Sequence, residues 1–182
     1  MRAFLRDFLI TLVIAVVIFF GLQITVQSYI INETCMEPNF QEGQRVLVNK
    51  VIYKFREPER GDVIVLHPPP PYSPKAIPFI KRIIGLPGES VEINEGIVYI
   101  HKEDGSVLPL DEPYVIKPAK YPFKGNTIPE NEYFVLGDNR NNSDDSRNGW
   151  TLPRQNIIGK AWLSIWPPDR WRLVANYSYE GE

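Results

Sequence analysis

The sequence predicts an all-β domain of sandwich or barrel type, carried behind one apolar helix. Three observations predict it. Residues 8–32, FLITLVIAVVIFFGLQITVQSYIIN, contain no charged side chain. The body that follows is a succession of short runs rich in β-branched and aromatic residues, set off by Gly- and Pro-containing turns. None of its longer stretches repeats apolar residues with a helical period. Short strands in series with tight turns are the pattern of an all-β fold.

The apolar run comes first. As a helix its 25 residues would measure about 37 Å, against a hydrocarbon core of about 30 Å. Arg2 and Arg6 precede it, whereas Glu33, Glu37 and Glu42 dominate the stretch after it. The rule that basic residues stay inside therefore expects a cytoplasmic N-terminus and an extracytoplasmic body. The expected division is a cytoplasmic segment 1–7, an anchor 8–29 and a β-rich domain 30–182. A cleaved signal peptide fits less well, because its apolar region runs to only about 7–15 residues and ends at a small-residue site. QSYIINETC has no such site. Lipidation of Cys35 fits poorly too, because Asn32 and Glu33 stand where small and apolar residues would be needed.

The strands follow in order. RVLVNKVIYKF (45–55), GDVIVLH (61–67) and PFIKRIIG (78–85) are apolar and β-branched. HPPPPYSPKAIP (67–78) is an extended Pro-rich loop. SVEINEGIVYIHK (90–102) is a hairpin around Asn94-Glu95-Gly96. EYFVLGD (132–138) and IIGKAWLSIW (157–166) supply two more strands, with Trp162 expected in the core. Trp166, Arg170 and Trp171 suit a lipid interface.

Composition narrows the chemistry. The chain has 182 residues, 23% of them charged, and a net charge of -2, which offers no argument for a nucleic-acid partner. The single cysteine, Cys35, excludes an internal disulfide and a multi-cysteine zinc site. With only His67 and His101, a His-rich metal site has no basis, and no metal or cofactor is expected.

Three stretches stand out. In TCMEPNF (34–40), Pro38 holds Glu37 extended, so Cys35 lies on a turn or strand edge. In FIKRIIGLPGE (79–89), Lys81 interrupts an apolar strand. Its ordinary reading is a solvated edge position; its functional reading is a desolvated amine whose pKa is lowered by burial. GDNRNNSDDSRNG (137–149) is a polar loop. Asp138, Asp144 and Asp145 are close together, but Arg140 and Arg147 interleave with them and the calcium-loop spacing is absent.

Together and in this order, these stretches resemble the bacterial type I signal peptidases, membrane-anchored proteases with a Ser–Lys dyad. CMEPNF resembles the family's S-M-x-P-T box, RGDVIV (60–65) its second box, KRIIGLPGE (81–89) its lysine box and GDNRNNSDDSR (137–147) its last box. The resemblance implies that Cys35 stands at the nucleophile position and Lys81 at the general base. It implies that Ser143 orients the lysine, and that Asp145 and Arg147 form a structural ion pair near Arg82. Asp138 and Asn139 would shape the loop, and Met36 and Ile80 would border the substrate pocket. The implied substrates are exported preproteins with signal peptides, bound as an added strand beside the lipid bilayer of the plasma membrane. No cofactor is implied.

Three residues depart from the pattern, among them Asn39, which stands where threonine is usual. Cys35 replaces serine, and Glu33 stands two positions earlier, where the family has Ser or Gly. A carboxylate cannot donate to an oxyanion; losing one such donor costs about 2.7–4 kcal/mol of transition-state stabilisation. The intact lysine and final boxes favour an active peptidase. Glu33 and Cys35 favour a silent relative that binds signal peptides or secretion partners.

Overall fold

The computed structural model describes residues 2–72, 77–177 and 179. Residues 73–76 of the Pro-rich loop, and positions 1, 178 and 180–182 of the expected end segments, lie outside that range.

Helix α1 (Arg2–Thr25) includes an apolar stretch, Phe4–Thr25, whose described side chains are exposed as far as Ile24 and half-buried only at Thr25. Its 22 residues rise about 33 Å, long enough to cross a bilayer. The uncharged run then divides. Val26–Ile30 forms strand β1, paired antiparallel with β2 (Arg45–Asn49) from Val26↔Asn49 to Ile30↔Arg45. The helix therefore ends at Thr25, and residues 26–29 of the expected anchor belong to the sheet. Pairing with β2 satisfies backbone groups that the sequence would equally allow a helix to satisfy.

The remaining strands are β3 (Val63–Leu66), β4 (Phe79–Gly85), β5 (Ser90–Asn94), β6 (Ile97–His101), β7 (Val107–Pro109), β8 (Phe123–Lys124), β9 (Glu132–Leu136), β10 (Leu152–Pro153), β11 (Ile157–Trp166) and β12 (Arg172–Leu173). One sheet runs β1-β2-β11-β3-β4-β9-β10, with β12 on β11; the other runs β7-β6-β5-β8. The pairings are antiparallel. The β5–β6 hairpin turns through Glu95 (φ 50°) and Gly96 (φ 82°), the left-handed pair that a two-residue hairpin loop requires.

The strand expected over 45–55 stops at Asn49. Its side-chain oxygen accepts the backbone N–H groups of Val51 and Ile52, both at 3.1 Å, and starts a 3-10 turn at Ile52–Lys54. Trp162 is 49% exposed rather than in the core. A register shift between Ala161 and Leu163 leaves the small Ala161 facing inward.

Strand β4 decides the position of the site. It lies between β3 and β9, and all seven of its residues are buried. Lys81 is thus no edge residue. On one side Cys35, Met36, Val46, Val63 and Ile80 form a core; on the other Ile64, Leu66, Phe79, Ile83 and Val135 form a second.

Candidate active site

Two chain segments far apart in sequence are laced together around Cys35. The Asn139 N–H donates to the Cys35 carbonyl at 2.9 Å, and the Asn139 amide to the Thr34 carbonyl at 3.1 Å. The Asn142 amide donates to Thr34 Oγ1 at 2.9 Å, and Asn39 bridges the Tyr114 carbonyl and Asp138 Oδ2, both at 2.9 Å. Gly137 permits this closeness: a Cβ there would collide with Ser143 Oγ and stand 2.6 Å from the Cys35 carbonyl. The Asn- and Gly-rich loop is therefore a clamp on the segment that carries the thiol.

β4 brings Lys81 to that thiol from the other side. Lys81 is fully buried, and its Nζ donates to Cys35 Sγ at 2.9 Å and to Glu33 Oε2 at 3.2 Å. The Phe79 ring lies 4.7 Å from Nζ. Cys35 is 4% exposed, and its Sγ lies 3.2 Å from Glu33 Oε2 and 3.4 Å from the Ile80 carbonyl. Thiol, ammonium and carboxylate form one triangle.

The electrostatics follow from that triangle. Burial pushes the Cys35 thiol up to about 12, opposed in part by the charge and hydrogen bond of Lys81 and reinforced by Glu33. Burial alone would lower Lys81, as a desolvated base requires. The charges of Cys35 and Glu33 and its hydrogen bonds to both outweigh burial, so Lys81 sits above its ordinary value. The expectation of a lowered lysine is thus reversed, first by the charge of Cys35 and then by that of Glu33, with the hydrogen bonds to both.

The other expected residues divide. Ser143 is beside the site, but among the described residues its buried Oγ has no hydrogen-bond partner, Lys81 included. Glu33 holds the lysine instead. Arg82 pairs with Asp138, through Nε to Oδ1 at 2.9 Å and Nη2 to Oδ2 at 2.8 Å, and stacks 4.0 Å from the centre of the Tyr114 ring. Asp145 and Arg147 pair with each other at 2.8 Å, and Asp145 also accepts the Gly137 N–H at 3.2 Å. They therefore brace the loop, while Asp138 answers Arg82.

A cavity of about 370 Å³ adjoins the triangle, lined in part by Ser28, Tyr29, Ile31, Glu33, Phe79 and Ile80. Ile80 borders this cavity. Met36 does not: it is fully buried in the core behind, where its Sδ accepts the Asp138 N–H at 3.4 Å. In the sequence Glu33 reads as an obstacle to an oxyanion and to lipidation of Cys35, not as a partner of Lys81. The signal that could have revealed more was its polarity two residues before the thiol.

Comparison with known proteins accords with this geometry. The family model described as signal peptidase, peptidase S26, matches residues 4–166. The chain belongs to the signal peptidase family, peptidase S26. The probable signal peptidase I-1 of Synechocystis sp. is 43% identical over 148 residues, which covers 79% of this chain and 73% of that protein. The signal peptidase I of Leptolyngbya laminosa is 40% identical over 168 residues, 88% of this chain and 79% of that protein. A crystal structure of a signal peptidase I from Enterococcus faecalis V583 is 31% identical, with a TM-score of 0.49, covering 58% of this chain and 97% of that one. In this signal peptidase family member, the segments 33–35, 79–81 and 137–143 meet around Cys35 and Lys81.

Proposed function

We propose that the chain is a membrane-anchored endopeptidase that removes N-terminal signal peptides from exported preproteins, with Cys35 as nucleophile in the serine's place and Lys81 as its proton partner. Family membership supports the reaction class. The observation that carries the assignment of roles is the 2.9 Å contact between Lys81 Nζ and Cys35 Sγ. Proton-transfer partners must lie within such reach.

At rest the pair carries two protons, a thiol beside an ammonium. Loss of one gives the competent form, with a single proton shared between Nζ and Sγ. Sγ attacks the scissile carbonyl carbon, and the remaining proton resides on Nζ. Nζ delivers it to the leaving nitrogen as the C–N bond breaks, leaving a thioester. The neutral amine then takes a proton from water as the hydroxyl adds, and the C–S bond breaks to release the carboxylic acid and return the one-proton form of the pair. No cofactor enters this sequence.

The preprotein binds as an added strand. β1 is an edge strand among the described residues, and its residues form one wall of the cavity opposite Pro78, Phe79 and Ile80. α1 anchors the chain in the plasma membrane, with the basic Arg2 and Arg6 on the cytoplasmic side and the β-domain outside. The exposed Trp162, Trp166, Trp171 and Leu173 suit contact with the bilayer surface.

A silent signal-peptide-binding relative is the second reading, favoured by Glu33 standing between the cavity and the buried thiol. Preprotein cleavage by the full-length protein in detergent separates the two. The peptidase reading expects cleavage that Cys35→Ala abolishes and iodoacetamide blocks. Silence of the native chain and of Cys35→Ser alike would retire the peptidase reading and point to Glu33 or to a binding role.

A further inference from the structure

We propose that Glu33, rather than Ser143, is the positioning residue for Lys81, and that its carboxylate sets the pH at which the Cys35–Lys81 pair becomes reactive. The kinetic half of this inference rests on the peptidase reading; the half that concerns the thiol does not.

Three observations carry it. Glu33 Oε2 lies 3.2 Å from both Lys81 Nζ and Cys35 Sγ, so one oxygen orients both members of the pair. The Ser143 hydroxyl, beside Gly137 and the Cys35 carbonyl, has no hydrogen-bond partner among the described residues. The Glu33 side chain is 32% exposed and lines the cavity, whereas Lys81 is fully enclosed behind it. A bound substrate would therefore meet Glu33 before the pair.

The surroundings leave Glu33 as the group that sets the charge. From its own strand, Arg82 is committed to Asp138, and Phe79 offers only its ring. From β3, the residue opposite Lys81 is the apolar Ile64. From the 137–148 loop come the Ser143 hydroxyl and Asp145, which is neutralised by Arg147. The segment before β2 supplies Cys35 itself and Glu33.

The sign is definite. A carboxylate at that distance stabilises the ammonium and opposes the thiolate, and both effects raise the pH at which the pair gives up its first proton. A neutral side chain at position 33 lowers that pH while the geometry around Cys35 persists. In the family pattern a hydroxyl orients the lysine without charging it; here the orienting group carries the charge.

The test uses the full-length protein in detergent. The rate of Cys35 alkylation by iodoacetamide and the kcat/KM for preprotein are both measured against pH, with melting transitions recorded on the same samples. Glu33→Gln and Glu33→Ser are expected to move the rising limb of both profiles to lower pH by about 1–3 units. Glu33→Asp is expected to keep the wild-type limb, and Ser143→Ala to leave it in place. A limb that ignores Glu33→Gln and Glu33→Ser, or one that moves with Ser143→Ala, overturns the proposal. So does unfolding of both neutral variants, which would make Glu33 a structural residue. The two readings fail separately: a shifted alkylation limb without any cleavage retains the role of Glu33 and retires the peptidase, whereas cleavage with an unmoved limb does the reverse.

Discussion

Lys81 and Arg82 are neighbours on β4, and both cations are buried to within 2% of full enclosure. They are answered differently. Arg82 meets a fully buried carboxylate in two parallel hydrogen bonds and lies against two aromatic rings. Lys81 meets a thiol and one oxygen of a part-exposed carboxylate. The arginine is permanently charged and its partner cannot reach water, so the pair has one state. The lysine and the thiol exchange a proton, and Glu33 beside them borders a cavity. A buried charge whose every partner is fixed serves structure; one whose partners exchange protons can serve chemistry.

The largest effect should come from Lys81→Met. Removing the proton partner is expected to cost roughly 10²–10⁴-fold in preprotein cleavage. The melting temperature should stay near wild type, because Glu33 can turn to water and an apolar side chain suits the buried site. Unchanged cleavage would break the comparison at its functional end. Asp138→Ala should do the opposite, destabilising the domain by about 3–5 kcal/mol in urea unfolding through the stranded Arg82 charge. An unaltered midpoint would show that this pair is not the strut described above.

Cys35 offers a subtler check. With its thiol pushed up to about 12, little thiolate exists at neutral pH. At pH 8 its alkylation should run roughly a thousandfold slower than that of an ordinary thiol of pKa about 8.5, and rise steadily with pH. An ordinary rate would mean that Lys81 holds a thiolate at rest. The smallest effect is expected at the surface pair of Arg154 and Glu57, whose side chains are 37% and 75% exposed. Glu57→Gln should shift stability by about 0–1 kcal/mol, and less as salt is raised.

Much of the architecture was legible in one dimension. The β-branched runs became β2, β3, β4, β9 and β11, and the Glu95-Gly96 turn closed its hairpin where the turn chemistry required. β1 was hidden inside an apolar run that reads equally well as helix, and only its partner strand separates the two. β7, β8, β10 and β12, at two or three residues each, are too short to show a period. Trp162 went outward because a register shift in β11 turned Ala161 inward, which no local pattern encodes.

By itself, the sequence determined the apolar span, the strand-rich body and the order of the motifs that carry Cys35, Lys81 and Ser143. Those are properties of local composition and spacing, which a chain carries without folding. Only the tertiary structure decided what answers each buried cation. Glu33 and Lys81 are 48 residues apart in sequence and 3.2 Å apart in space. Arg82 and Asp138 are separated by 56 residues and joined by two bonds. Which carboxylate meets which cation depends on strand register and loop closure, and those are set by the packing of the whole sheet. That is why a glutamate that looked in the sequence like an obstacle to an oxyanion lies in the fold against the lysine.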